Sequence, residues 1–125
     1  MTSRRQLGDF GERIAAHRLE SQGMRVIERN VRVGRIEIDL VAEDGEDLVF
    51  VEVRTRRGQD DLAAETLLPA KLQRMWRAAI GYCDRREIPP ERIRIDAVAI
   101  DLDSNGTARR IEHFRGLEIP EPPPE

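Results

Sequence analysis

The chain has 125 residues, 39% apolar and 36% charged, enough for one domain with a single core under a highly charged surface. No apolar run approaches the roughly 18 residues of a membrane span. MTSRRQLGDF at the start lacks the apolar stretch of a secretory signal, and a lone cysteine, Cys83, excludes an internal disulfide framework, so the expected compartment is the cytoplasm. Net charge is −3, but three of the 24 acidic residues lie in LEIPEPPPE (117–125). Without them, 21 acidic residues balance 21 basic ones, which leaves room for a basic stripe and an acidic pocket on different faces.

Residues 4–22 carry a helical pattern, with Phe10, Ile14, Ala15, Ala16 and Leu19 on one side and Gly23 as a stop. Arg4 and Arg5, at the start of that span, are a candidate flexible basic arm. MRVIERNVRV (24–33) reads as a strand bent near Arg29-Asn30. Two alternating strands follow, near 35–42 and 48–56, around Asp44-Gly45. GQDDLAAETLL is a loop with a short helical turn. A second helix runs from about Ala70 to Arg86, and Pro89-Pro90 ends it. RIRIDAVAID (92–101) and ARRIEHF (108–114) are strands around the turn Ser104-Asn105-Gly106. The order α-β-β-β-α-β-β implies a mixed α/β domain over residues 1–116, with helices covering a central sheet. Residues 117–125 are expected to form an extended, disordered tail.

The chemistry concentrates in RIEIDLVAEDGEDLVFVEVRTRR (35–57). Alternation sets Ile36, Ile38 and Leu40 on one face and Glu37, Asp39 and Val41 on the other. Glu52 and Arg54 share a face with Leu48 and Phe50. A carboxylate among apolar neighbours is costly unless it is paired, protonated or holding a metal. A four-residue loop (44–47) puts Asp39 directly opposite Glu52, with Cβ atoms about 5 Å apart; a two-residue loop makes them a diagonal pair about 7–8 Å apart. Either spacing suits one hard cation, with Mg²⁺ or Mn²⁺ as the expected cofactor. With Arg54 adjacent, the pair has the minimal apparatus for phosphodiester hydrolysis. Ion pairing with arginines on a solvated face is the competing account. Glu12 lies on the small apolar stripe of the first helix, where Gly8 and Gly11 permit close approach; a helix-start glutamate favouring the dipole explains it equally well.

GDFGERIA (8–15), EIDLVA (37–42), LVFVEVRTR (48–56), Lys71 and RIDAVAI (94–100) together resemble, in order and spacing, the YraN-like family of small bacterial proteins. That family is similar to archaeal Holliday-junction resolvases of the PD-(D/E)xK nuclease superfamily. The resemblance spans roughly residues 5–116. It implies a restriction-endonuclease-like core, with a central mixed sheet flanked by two main helices. By the same resemblance Glu12, Asp39, Glu52 and Arg54 are catalytic. Asp39, Glu52 and the Val53 carbonyl hold metal, joined by Glu12 as a third carboxylate. Glu37, sharing the Asp39 face, is a weaker candidate. Two positions depart from the family's pattern. Arg54 replaces the E-x-K lysine, and an arginine cannot act as general base, so the metal or Lys71 would have to supply water activation. Ile36 stands where a glycine is common.

In the second helix Leu72, Met75, Trp76, Ala79, Ile80 and Cys83 form the apolar stripe. Lys71, Arg74 and Arg77, with Arg56 and Arg57 after the hairpin, form a basic surface able to track a phosphate backbone. Five aromatics without a cluster give no stacking platform for single strands, so duplex or branched DNA is the expected partner. His17 and His113 lack zinc-ligand spacing and read as surface or strand-end residues. The resemblance to resolvases also implies a homodimer. Two readings stay open: a Mg²⁺/Mn²⁺-dependent DNA endonuclease, and an interaction module with a degenerate site on the same fold. A structural protein with buried ion pairs is a third.

Overall fold

In the computed structural model, residues 4–58 and 63–119 are described. Helix α1 (Arg4–Ser21) is followed by β1 (Arg25–Val33), β2 (Ile36–Asp44) and β3 (Asp47–Arg57). A 3-10 turn (Ala63–Thr66) leads into helix α2 (Pro69–Arg85), and β4 (Ile93–Leu102) and β5 (Ala108–Phe114) complete the chain. The five strands form one sheet in the order β1-β2-β3-β4-β5. Only β3 and β4 pair in parallel; the other neighbours are antiparallel. The parallel pair needs a crossover, and α2 supplies it. This is the mixed α/β architecture read from the order of elements. No helix among the described residues is long and apolar enough to cross a membrane.

Two apolar layers sandwich the sheet. On one face Ala15, Ala16 and Leu19 of α1 pack on Leu40, Ala42, Val49, Val51, Val98 and Ile100. On the other, Leu72, Met75, Ala79 and Tyr82 of α2 pack on Val41, Leu48, Phe50 and Ile95. The small alanines bring α1 close to β3. A Cβ on Gly11 would meet Thr55 Oγ1 at 1.9 Å, whereas one on Gly8 would meet nothing within 4 Å. Of the two glycines, Gly11 therefore sets the approach, and a side chain rather than backbone lies against it.

Several expectations need correction. Arg4 and Arg5 are the first residues of α1, not a flexible arm. Ile38 packs with the α2 layer while Leu40 packs with the α1 layer, so Ile36, Ile38 and Leu40 do not share a face. The break falls at Asp39, where β2 stops pairing with β3; its pairing begins at Leu40–Val51 and runs to Asp44–Asp47. The α2 stripe is rotated. Ala78 and Tyr82 are buried, whereas Trp76 and Ile80 are more than a third exposed. Tyr82 turns inward because its ring packs edge-on against Phe50, with centroids 5.3 Å apart, while its hydroxyl bonds Glu28.

The tail begins with packed residues. Leu117 donates its N–H to the Ile95 carbonyl at 2.8 Å, and Leu117 and Ile119 lie against the α2 layer. The rest of the expected tail, 120–125, lies outside the described residues. Asp96, fully buried, anchors this end of the sheet. It accepts bonds from Arg94, from the Gly116 N–H at 3.0 Å and from His113 Nε2 at 2.8 Å. Burial opposes its charge, yet these donors hold its carboxyl below the usual range. His113 is thus a strand-end residue, as expected, with its side chain buried.

Candidate active site

Four elements deliver side chains to one pocket of about 730 Å³, lined by Glu12 of α1, Asp39 of β2, Glu52, Val53, Arg54, Arg56 and Arg57 of β3, and Lys71 of α2. The hairpin turn is Gly45-Glu46, with Gly45 at φ 59° in the left-handed region where glycine carries no penalty. This two-residue turn sits one position later than Asp44-Gly45. The pairing of Leu40 with Val51, continued by one step, therefore sets Asp39 opposite Glu52. The direct juxtaposition expected of a four-residue loop arises from a two-residue one.

Glu52 is only 4% exposed. Its carboxyl faces that of Asp39 across the hairpin. Burial, the bond from Glu52 and the charge of Glu52 push Asp39 up to about 8, against the opposing bond from the Val53 N–H to Asp39 Oδ2 at 2.8 Å. The charge of Glu12 adds to the rise. Glu52 Oε2 faces two cations, Lys71 Nζ at 3.3 Å and an Arg54 guanidinium nitrogen at 3.6 Å. Neither contact has hydrogen-bond geometry, so this buried oxygen is left without a hydrogen-bond partner, as is Arg54 Nε. Orphaned buried polar atoms are uncommon outside sites that bind or react.

Glu12 is half-buried at the pocket wall. Burial and the charge of Asp9 raise its carboxyl, and a side-chain bond from Asn30 opposes them. Asn30 has φ 53°, a conformation that asparagine tolerates better than most residues. Sequence reading marked Asn30 only as a bend; the signal it carried was an Asn inside a strand pattern. Glu37 does not line the main pocket. It sits with Arg5, Asp9, Glu12 and Asn30 in a smaller adjoining one, its carboxylate 3.9 Å from Arg32.

The basic residues divide. Arg56 and Arg57 rim the pocket, with an Arg57 guanidinium nitrogen donating to the Ser104 carbonyl at 2.9 Å. Lys71, expected on the phosphate-tracking surface, lies inside the pocket on Glu52. Arg74 and Arg77 are exposed along α2 outside it.

Among the described residues no three His, Cys, Asp or Glu side chains converge to hold a metal by themselves. Glu12 lines the same pocket as the Asp39–Glu52 pair, and its charge acts on Asp39. The pair still fits Mg²⁺ or Mn²⁺. The orphaned Oε2 has an unused lone pair, and Mg²⁺ is commonly held by one or two carboxylates with waters and substrate phosphates completing its shell.

Comparison with known proteins returns one family. The profile of "Uncharacterised protein family UPF0102" matches residues 11–100. A UPF0102 protein of Beutenbergia cavernae is 41% identical over 121 residues, covering 94% of this chain and 99% of that protein. One from Streptomyces coelicolor is 44% identical over 122 residues, covering 94% and 92%. Among solved structures, Pyrococcus furiosus SfsA in complex with Ca²⁺ matches with TM-score 0.41 and 21% identity, covering 92% of this chain and 65% of that one.

Proposed function

The chain belongs to the uncharacterised protein family UPF0102, the YraN-like family that its motifs resemble, and on that premise we propose a metal-dependent endonuclease-like protein acting on branched or nicked duplex DNA. The observation that carries the reading is the Asp39–Glu52 pair: two carboxyls set opposite each other, with an orphaned buried oxygen facing two cations. Asp39 and Glu52 would hold Mg²⁺ or Mn²⁺, with the Val53 carbonyl beside them. The ion supplies a water of lowered pKa and neutralises charge on a phosphate. In the reaction water would attack phosphorus and give up its proton to solvent, while the phosphodiester P–O bond breaks and the departing oxygen leaves with its electrons and takes up a proton from solvent. Arg54, always protonated, stabilises charge developing on the phosphate and cannot take the water's proton. Lys71 brings a second cation to Glu52, its Nζ 3.3 Å from Oε2. Arg56 and Arg57 at the rim meet neighbouring phosphates, and Arg74 and Arg77 extend the contact along the duplex. A homodimer would offer two such sites to two strands.

The second reading is an interaction module with a degenerate site. Arg54 in place of lysine favours it, as does a Glu52 oxygen already facing two cations. Titration with Mn²⁺ in a calorimeter separates them. Binding that collapses in Asp39→Ala and Glu52→Ala supports the metal site; no binding by the parent sinks the nuclease reading. Given binding, labelled four-way junction, flap and linear duplex are incubated with parent and Glu52→Ala. Cleavage by the parent alone establishes the activity, and metal binding without cleavage establishes the module.

A further inference from the structure

The two edges of the sheet are unequal. At β1 the ladder shifts between Val26 and Glu28, and Asn30 has left-handed backbone geometry. Such irregularities guard an edge against pairing. At the other edge β5 (ARRIEHF) has a register shift only at its start, between Ala108 and Arg110, and from Arg110 to Phe114 it runs in unbroken register with β4. Beside it lies an apolar groove of about 420 Å³ between α1 and the edge, lined by Phe10, Ile14 and Ile111, with Arg13, His17 and Arg18 around them. Phe10 is 38% exposed there.

We infer that β5 is the docking edge for a second copy of this chain, paired antiparallel about a two-fold axis through Ile111. The register follows from parity. In a continuous sheet the α1 faces of both copies lie on the same side, so facing residues share a face and the axis must pass through a residue. Through Arg110 it would oppose two arginines, and through Glu112 two glutamates. Through Ile111 it sets Arg110 of each copy opposite Glu112 of the other, two complementary pairs on the face away from α1. Within one chain Arg110 Nε already lies 2.5 Å from Glu112 Oε1, so the dimer joins two such pairs into a four-charge cluster. On the α1 face Ile111 meets Ile111 of the second copy, closing the groove beside Phe10 and Ile14. The edge's unpaired backbone groups gain partners at the same time.

This inference does not depend on the nuclease reading, and its test is association rather than cleavage. Sedimentation velocity of the full chain at concentrations up to about 100 μM should show a dimer. Arg110→Glu alone places glutamates opposite glutamates, and Glu112→Arg alone places arginines opposite arginines. Each should weaken dimerisation about tenfold or more. An equimolar mixture of the two variants should recover a heterodimer of near-parental affinity, as should the double swap. Recovery in the mixture cannot come from repair within one chain, because each chain still carries two like charges. A monomeric parent overturns the proposal and leaves the edge to a strand from another protein. A dimer insensitive to both variants, or variants that fail to recover when mixed, overturns it as well.

Discussion

Asp39→Asn tests whether burial and Glu52 hold a proton on Asp39. Asparagine keeps an oxygen to accept the Val53 N–H and offers an amide donor to Glu52, so it copies protonated Asp39 and cannot ionise. In the folded parent the Asp39 carboxyl is pushed up to about 8 from 3.8, chiefly by burial and then by Glu52. A group raised on folding favours the fold fully below its unfolded value and loses that contribution as pH climbs through the folded value. Stability of the parent should therefore fall, relative to Asp39→Asn, by about 1.4 kcal/mol for each pH unit between about 4 and about 8, then level off. The accumulated difference is on the order of 5 kcal/mol, a large share of the 5–15 kcal/mol typical of a domain. Urea unfolding of both proteins in chelator, from about pH 5 to about pH 8, measures it. The variant cancels from the comparison the titrating groups that do not interact with Asp39, leaving the Asp39–Glu52 pair. Parallel stability curves would show Asp39 ionised in the fold at neutral pH, and the raised carboxyl would be refuted.

Three other outcomes follow from the same geometry. If Asp39 carries a proton near neutrality, Mn²⁺ binding must expel it, so the heat of binding at about pH 7 should vary with the ionisation enthalpy of the buffer and lose that variation at about pH 9. Gly11→Ala should destabilise the fold by about 1–3 kcal/mol by driving α1 off Thr55, and Thr55→Ala in the same chain should recover most of the loss in a double-mutant cycle. Asp96→Ala should cost about 3–5 kcal/mol in urea unfolding, since it leaves Arg94 and His113 without the buried carboxylate they face.

Legibility of the site varied with how far each feature depends on distant residues. The acids Asp39 and Glu52 stood out because carboxylates at strand-interior positions break a local pattern. Their separation depended on which two residues make the turn, and a shift of one position from Asp44-Gly45 to Gly45-Glu46 converts a diagonal pair into an opposite one. Lys71 looked like part of a basic helix surface, because its helical angle from the apolar stripe says nothing about what the helix N-terminus meets. Asn30 looked like a bend because its bond to Glu12 joins β1 to α1, across the intervening turn. Trp76 and Ile80 fit an apolar stripe as well as Ala78 and Tyr82 do; packing against the sheet, with the Phe50 ring against Tyr82, chose between them.

By itself the sequence determined the order of elements, the mixed α/β class, the family and the pair of misplaced acids, because periodicity, turn residues and motif order are local properties of the chain. Tertiary structure alone decided the register that sets the acids opposite each other, the arrival of Lys71 on Glu52, the position of Glu12 in the same pocket and the unbroken run of β5 from Arg110 to Phe114. Each of these is a distance between residues far apart in sequence, set by how two helices pack on a twisted sheet, and no local pattern encodes it.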